Sequence, residues 1–108
     1  MTATQTFLTL TDNLLTLSGL QSAANLAYLN SATVTVVLTD KDSGAQIGGQ
    51  SWPLVLNYAA GSNGVYQAIL VNGLVTTVGQ RLLATITATD AGSGLQRVFV
   101  LPCQVELG

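Results

Sequence analysis

Apolar and polar residues alternate at every second position along most of this chain, and this pattern constrains the fold more than any other feature. The two clearest runs span residues 32–39 and 81–89. Their apolar positions are Ala32, Val34, Val36 and Leu38 in the first run, and Leu82, Ala84, Ile86 and Ala88 in the second. Successive side chains of a β-strand point to opposite faces, so a period of two predicts half-buried strands.

Short segments rich in Gly, Asn, Asp and Ser separate the alternating runs. They occupy residues 40–44, 59–64, 72–73 and 90–94. These residue types favour tight turns, because Gly and Asn accept positive φ and Asp or Ser side chains bond the nearby backbone. Several short strands joined in this way are typical of an antiparallel β-sandwich. We predict a single antiparallel all-β sandwich of about seven strands.

The length of 108 residues is that of one domain. We divide it into residues 1–31, with N-terminal strands and an irregular connector, and residues 32–108, which form the sandwich core. Apolar spacing over residues 14–29 also fits a helix, but Thr16 and Gly19 are poor residues for a helix interior. We therefore interpret 14–20 as a strand and 22–30 as the connector.

Two prolines modify the predicted strands. Proline cannot donate a hydrogen bond to a β-ladder, so it is confined to edges, strand starts and bulges. Pro53 predicts that the strand of residues 52–58 begins at an edge or a bulge. Pro102 predicts an interruption in the final strand, residues 95–107.

The chain contains no histidine, one cysteine and only 7% charged residues. Histidine is the usual side chain that titrates near pH 7, so its absence removes Ser-His-Asp and Cys-His catalysis and most zinc sites. An enzyme would have to rely on Asp, Lys41 or Cys103 alone. We expect no enzymatic activity, no cofactor, and no catalytic, cofactor-binding or metal-ligating residue.

The scarcity of charge also bears on association with other subunits. A typical soluble domain is about 25% charged. Here the charged residues are Asp12, Asp40, Lys41, Asp42, Arg81, Asp90, Arg97 and Glu106. Interface cores are depleted of charge, which favours a homo-oligomer or assembly with other proteins. The alternative is a monomer with a Thr-rich β surface.

Charge and hydropathy argue against two other kinds of partner. The net charge is −2 and the three cations are scattered, which argues against nucleic-acid binding. No apolar run approaches the ~20 residues that span a bilayer, so we expect no membrane insertion. The N-terminus has no signal-peptide pattern and a single thiol cannot form an internal disulfide. We expect synthesis and folding in a reducing cytoplasm.

One short motif imitates a calcium loop. Asp40-x-Asp42-x-Gly44 has the opening spacing of an EF-hand loop, but the twelfth position is Ser51 rather than glutamate. Asp and Gly also occupy β-turns for backbone reasons alone. We interpret residues 40–44 as a turn.

Two further candidates have structural explanations. Residues 92–97 lack the final glycine of a dinucleotide-binding loop, and no helix is predicted after them, so we interpret them as part of a hairpin. Cys103 has no adjacent cation that would lower its pKa. We predict that Cys103 is a small buried apolar side chain.

The aromatic residues could form a platform that stacks on sugars. Trp52, Tyr58 and Tyr66 alternate with aliphatic residues, which predicts that they face the core. Tyr28 lies in the connector and is not placed by this pattern. Solvent exposure of Trp52 or Tyr28 would favour a carbohydrate-binding function.

Four segments carry a resemblance to a known group of proteins. They read YLNSATVTVVLTD over residues 28–40, followed by Ser43-Gly44, then GQSWPLVLNY over 49–58, GSNGVY over 61–66 and ATITATD over 84–90. Together they resemble small Ig-like β-sandwich proteins encoded among the virion structural genes of tailed bacteriophages. The resemblance covers roughly residues 28–100 and implies an Ig-like sandwich at the capsid surface, the head–tail junction or the tail. It transfers no catalytic residue.

Two functions from different classes follow. The first is a non-enzymatic virion component that decorates the capsid or joins head and tail, assembling through neutral β surfaces with itself or with the capsid or connector lattice. Its localisation would be the virion, after synthesis in the host bacterial cytoplasm. The alternative is a carbohydrate- or receptor-binding Ig-like module. A similar sequence frame recurs in bacterial adhesins, but the chain shows neither their signal peptide nor their tandem repeats.

Overall fold

The computed structural model describes residues 5–8, 12–21, 27–71, 73–90, 92, 94 and 96–106. These residues form seven β-strands and contain no helix. The strands are β1 (Gln5–Leu8), β2 (Asn13–Leu17), β3 (Thr33–Asp40), β4 (Leu54–Tyr58), β5 (Tyr66–Leu70), β6 (Arg81–Thr89) and β7 (Gln96–Glu106).

The strands follow the hydrogen-bonded order β1-β7-β6-β3-β4-β5-β2. Only the β1–β7 pair is parallel, and all other pairs are antiparallel. The first residues of β4 pair with β3 and its last residues pair with β5. The sheet therefore turns over at β4 into a larger part, β1-β7-β6-β3-β4, and a smaller part, β4-β5-β2.

This topology confirms the predicted Ig-like sandwich. In chain order, the second strand pairs with the fifth, the fifth with the fourth, the third with the sixth and the sixth with the seventh. These are the B–E, E–D, C–F and F–G pairings of an immunoglobulin domain. The first strand joins the larger sheet beside β7.

One hydrophobic core lies between the two parts of the sheet. The predicted inward positions of β6 are all buried, and so are those of β3 apart from Ala32, which precedes the strand and is half-buried. The buried side chains are Phe7, Leu15, Leu17, Leu20, Val34, Val36, Leu38, Ile47, Leu56, Tyr66, Ala68, Leu70, Leu82, Ala84, Ile86, Ala88, Cys103 and Val105. Alternation in the sequence thus identified the core positions of β3 and β6.

The predicted interruption of the final strand at Pro102 is wrong. β7 pairs with β6 without a break from Gln96 to Gln104, with Pro102 opposite Leu83. The carbonyl of Arg81 accepts a hydrogen bond from the N–H of Lys41, which lies on the β3 side. The backbone N–H and C=O groups of the odd-numbered residues of β6 therefore point toward β3 and away from β7. Pro102 therefore occupies a ladder position whose nitrogen faces away from β6. The loss of an N–H there breaks no β6–β7 bond.

The strand predicted to begin at residue 52 begins at Leu54, directly after Pro53. The bond between Trp52 and Pro53 is cis. Residues 14–17 are extended in β2, so the helical alternative for this segment is wrong. Of the predicted connector, residues 22–26 lie outside the described residues, and 27–30 contain only an isolated bridge between Tyr28 and Gln21.

The described end of the connector is fastened to the smaller sheet by a buried tyrosine and a glycine. The hydroxyl of Tyr66 donates to the carbonyl of Leu29 at 2.7 Å and accepts the N–H of Ala32 at 3.0 Å. Gly64 donates its N–H to the side chain of Asn30 at 2.9 Å, and its carbonyl accepts from Leu20 at 3.0 Å. These bonds hold residues 20 and 29–32 against the β4–β5 hairpin.

Candidate functional site

Both oxygens of the Asp40 carboxylate accept hydrogen bonds within the turn that follows β3. One accepts the N–H of Asp42 and the other the hydroxyl of Ser43, each at 3.1 Å. Gly44 donates to the Asp40 carbonyl at 2.8 Å and has a φ of 76°. The segment from 40 to 44 is therefore a turn, as predicted. Among the described residues, no three His, Cys, Asp or Glu side chains are grouped as metal ligands would be.

The hairpin after β6 repeats this arrangement. Asp90 accepts the N–H of Gly92 on its side chain at 3.1 Å and the N–H of Gly94 on its carbonyl at 2.8 Å. The glycine-containing segment is therefore a turn between β6 and β7, as predicted, and is not followed by a helix.

Cys103 packs into the core as the sequence predicted. Its side chain is 3% exposed, and its thiol donates to the carbonyl of Leu101. Desolvation raises the pKa of the Cys103 thiol from 9.0 to about 12, against a smaller opposing effect of a backbone hydrogen bond at Ala84. The thiolate is the nucleophilic form of cysteine. At neutral pH this thiol is protonated and serves as an apolar side chain.

A cavity of about 280 Å³ opens beside Cys103 at the end of the larger sheet. Two of the three cations of the chain, Lys41 and Arg81, line it together with Leu82, Pro102, Cys103 and Gln104. Its lining contains no ionised nucleophile and no carboxylate, so it lacks an acid–base pair.

The aromatic residues do not form a shared platform. The indole N–H of Trp52 donates to the carbonyl of Ile47 at 2.7 Å, and the ring packs against the core. Tyr66 is buried beside the half-buried Tyr58, with ring centroids 5.6 Å apart and a tilt of 57°. The predicted inward orientation of these three residues is confirmed. Tyr28 is 49% exposed and lies in the connector of residues 22–30, apart from these three residues.

The charged residues cluster where strands end. Asp40 is the last residue of β3, Arg81 the first of β6 and Glu106 the last of β7. Arg97, near the start of β7, lies over the ring of Phe99 at 4.9 Å. The remaining charged residues, Asp12, Lys41, Asp42 and Asp90, lie between strands. The centres of the strands therefore carry no charge on either face.

Between the strand ends the outer surface of the larger sheet is therefore uncharged, and we call this surface the neutral face. It is the outer surface of β4, β3, β6 and β7, formed by Val55, Thr33, Thr35, Val37, Thr39, Leu83, Thr85, Thr87, Thr89, Gln96, Val98, Val100 and Pro102. Register aligns Thr35 with Thr87 and Thr87 with Val98 in one row across the strands. Val98 is 61% exposed and Val100 49% exposed. Composition predicted a neutral surface but could not assign it to a face, because the register is long-range.

The smaller sheet also exposes apolar side chains at its edge. Leu14 of β2 is directly opposite Ile69 of β5 in the ladder. The two side chains are 52% and 60% exposed, on the outer face. The sequence assigned Leu14 to a strand but could not show that this strand lies at an edge.

Searches of protein-family models, curated proteins and solved structures found no match to this chain. The described residues include no helix that is long and apolar enough to cross a membrane.

Proposed function

We propose that this chain is a non-enzymatic structural component of a tailed-phage virion. It assembles through neutral β surfaces with itself or with the capsid or connector lattice, and the neutral face is the surface that contacts the lattice. The observation that carries the proposal is the separation of charge from the faces of the strands. Every charged residue lies in a loop or near a strand end, while the outer surface of four strands is neutral between those ends.

Physical chemistry makes such a face suited to burial. Removing ions from water costs several kcal/mol per ion even in real proteins, whereas burying an exposed valine contributes about 1.5–3 kcal/mol. Val98 and Val100 provide such side chains next to threonines, whose hydroxyls can bond across an interface. Contacts of this kind depend little on salt, because screening acts on charges.

The resemblance to phage virion proteins supports the same function. The segments that carry it fall on β3, on the β4–β5 hairpin and on β6, which form the centre of the sandwich. The proposal needs no catalytic residue. In agreement with it, the thiol of Cys103 is buried and protonated, and the carboxylates of Asp40 and Asp90 accept hydrogen bonds within their own turns.

The alternative of a carbohydrate-binding module has less support. Trp52 uses its indole N–H within the chain, and Tyr66 uses its hydroxyl for two internal bonds. Tyr28 is 49% exposed, which is the one observation that favours this alternative, but the other tyrosines and Trp52 are buried or half-buried. A stacking platform normally needs more than one exposed ring, so the neutral face is the better-supported surface.

The test is incorporation into particles. In the phage whose genome encodes the chain, the gene is disrupted and supplied in trans as wild type, Val98→Lys or Ala60→Lys. Ala60 is an exposed loop residue and provides a control for the added charge. Purified particles are washed at low and high salt, and the chain is quantified by mass spectrometry.

We expect wild type and Ala60→Lys to remain on particles at both salt concentrations. We expect Val98→Lys to be reduced at least tenfold, because a lysine at this exposed position of the neutral face would be desolvated in the contact without a partner. Absence of the wild-type chain from particles would overturn the proposed function. Retention of Val98→Lys at wild-type levels would overturn the assignment of the neutral face.

A further inference from the structure

β2 forms one edge of the smaller sheet, and its backbone directions can be derived from its neighbours. The carbonyl of Val65 accepts a hydrogen bond from Ala59, on the β4 side. In an antiparallel ladder the N–H and C=O of one residue point to the same side, and successive residues alternate. The backbone N–H and C=O groups of residues 66, 68 and 70 of β5 therefore point toward β2. The bond from Leu20 to the carbonyl of Gly64 has the same direction.

The residues of β2 that pair with these positions are Asn13, Leu15 and Leu17. They exchange hydrogen bonds with β5, so Leu14 and Thr16 point their N–H and C=O groups to the outer edge. Within the described part of the chain, no strand pairs with that edge of β2.

Elsewhere in the smaller sheet, a side chain bonds backbone groups of a strand where no neighbouring strand pairs with them. Beyond the short β4–β5 ladder, Gln50 donates its amide to the carbonyl of Ile69 at 3.5 Å and accepts the N–H of Val71 at 3.3 Å. This side-chain amide takes the place of a neighbouring strand on the β4 side of β5. No described side chain does the same for the edge of β2.

The sequence of β2 itself contains no charge, proline or bulge that would hinder edge pairing. Proteins protect edge strands with charged side chains, proline or bulges. β2 reads NLLTL and contains none of them. The opposite end of the sheet order is different, because β7 carries Arg97, Pro102 and Glu106 beside the short β1.

We propose that β2 pairs with β2 of a second copy of this chain. The two strands run antiparallel about a two-fold axis at Leu15, with Leu14 of each copy opposite Thr16 of the other. All four edge-facing residues then exchange backbone hydrogen bonds, giving four bonds in total. The smaller sheets of the two copies join into one continuous sheet. This inference rests on the self-assembly part of the proposed function and names its surface.

Charge and apolar surface both favour a second copy as the partner. In this register Asp12 of each copy lies opposite Ser18 of the other, so no two like charges meet. A partner strand with charges of its own would find no complementary charge in β2. The pairing also brings the exposed Leu14 side chains of the two copies within about 7–8 Å on one face. Each of these leucines adjoins an exposed Ile69, so the apolar row continues across the two copies.

The test compares two double variants that change the same residues. In Leu14→Lys/Thr16→Glu, every lysine faces a glutamate of the second copy. In Leu14→Lys/Thr16→Lys, every lysine faces a lysine. Native mass is measured by light scattering on a sizing column from about 10 µM to about 1 mM, a range suited to a small and weak interface. Ala60→Lys is the control for an added charge outside β2, Val98→Lys tests whether the neutral face carries the self-association instead, and circular dichroism verifies folding.

We expect wild type, Val98→Lys and Leu14→Lys/Thr16→Glu to dimerise within this range. We expect the dissociation constant of Leu14→Lys/Thr16→Lys to rise at least tenfold. A wild-type monomer at about 1 mM would overturn the proposal, as would equal behaviour of the two double variants. Loss of the dimer in Val98→Lys alone would move self-association to the neutral face and also overturn it.

Disulfide trapping provides a second measurement that leaves the fold less perturbed. Residues directly opposite each other in a hydrogen-bonded pair have Cα atoms about 5.5 Å apart, within disulfide range, whereas the Leu14 pair lies beyond it. A mixture of Leu14→Cys and Thr16→Cys chains should oxidise mainly to the mixed dimer. Predominant Leu14→Cys homodimers would refute the register. If the mixed disulfide dimer does not form but the wild-type chain is still found on phage particles, the edge pairing is overturned and the proposed function stands.

Discussion

Replacement of Gly64 by alanine tests how the connector is fastened to the smaller sheet. Gly64 is buried with a φ of 67°, in the left-handed region that disfavours residues with a Cβ. A Cβ at this position would lie 2.6 Å from the backbone nitrogen of Leu20. That backbone is held by its own bond to the Gly64 carbonyl at 3.0 Å. The clash is therefore with main chain that cannot rotate away.

The expected loss of stability is the sum of three effects. The left-handed conformation costs a residue with a Cβ about 1–2 kcal/mol. Steric overlap in a packed region costs about 1–3 kcal/mol, and weakening the Leu20 to Gly64 hydrogen bond adds about 0.5–1.5 kcal/mol. We expect Gly64→Ala to lower the free energy of unfolding by about 2.5–6.5 kcal/mol, a large part of the about 5–15 kcal/mol of a typical domain.

Gly61→Ala is the matched control in the same hairpin. Gly61 has a φ of 78°, but nothing lies within 4 Å of a Cβ placed on it. It should lose only the conformational part, about 1–2 kcal/mol. Guanidinium unfolding of both variants, followed by circular dichroism, gives the comparison. Equal losses for Gly64→Ala and Gly61→Ala would refute the claim that close backbone contact with Leu20 requires glycine at position 64.

Three further predictions concern the aromatic residues and the thiol. Tyr66→Phe removes the hydroxyl that bonds Leu29 and Ala32 and should cost about 1–3 kcal/mol in denaturant unfolding, whereas Tyr28→Phe should cost under about 0.5 kcal/mol; similar losses would contradict the proposed fastening. The thiol of Cys103 ionises near pH 9.0 when unfolded and near 12 when folded, so the unfolded chain holds fewer protons between these values and stability should fall as pH rises through them. Cys103→Ala should lack that component of the pH dependence, and an identical slope in both proteins would argue against the buried protonated thiol. Trp52 should fluoresce at short wavelength and show no change on addition of glycans, because its indole is bonded to Ile47 within the chain; a saturable shift would favour the carbohydrate-binding alternative.

Local periodicity was sufficient to predict most strands and their inward faces. The run from Arg81 to Thr89 was predicted with its correct bounds and buried positions, because a nine-residue alternation is hard to produce by chance. The turns at residues 40–44 and 90–94 were also recognisable, since their Asp and Gly residues act through bonds to their own backbone. These features depend on interactions between residues close in sequence.

Features that depend on pairing between distant strands could not be predicted. The sequence shows that Pro102 lacks an N–H, but only the register with β6 shows that its nitrogen faces away from that strand. The same limit applies to the edge position of β2 and to the neutral face. Composition predicted neutral association surfaces, while strand order decides which residues such a surface contains. The bonds from Tyr66 to the connector join residues 34 and 37 positions apart, so they left no local signal.

The central claim of self-association through neutral β surfaces is tested most directly by the native mass of the purified chain. Light scattering on a sizing column over a concentration series, at low and at about 1 M salt, measures both association and its salt dependence. Uncharged surfaces predict a dimer of two 11.1-kDa chains whose dissociation constant changes less than about threefold between the two salt concentrations. A monomer at every concentration, or a dimer that salt dissociates, would contradict self-association through neutral surfaces, whereas assembly with the lattice is tested by retention of the chain on particles.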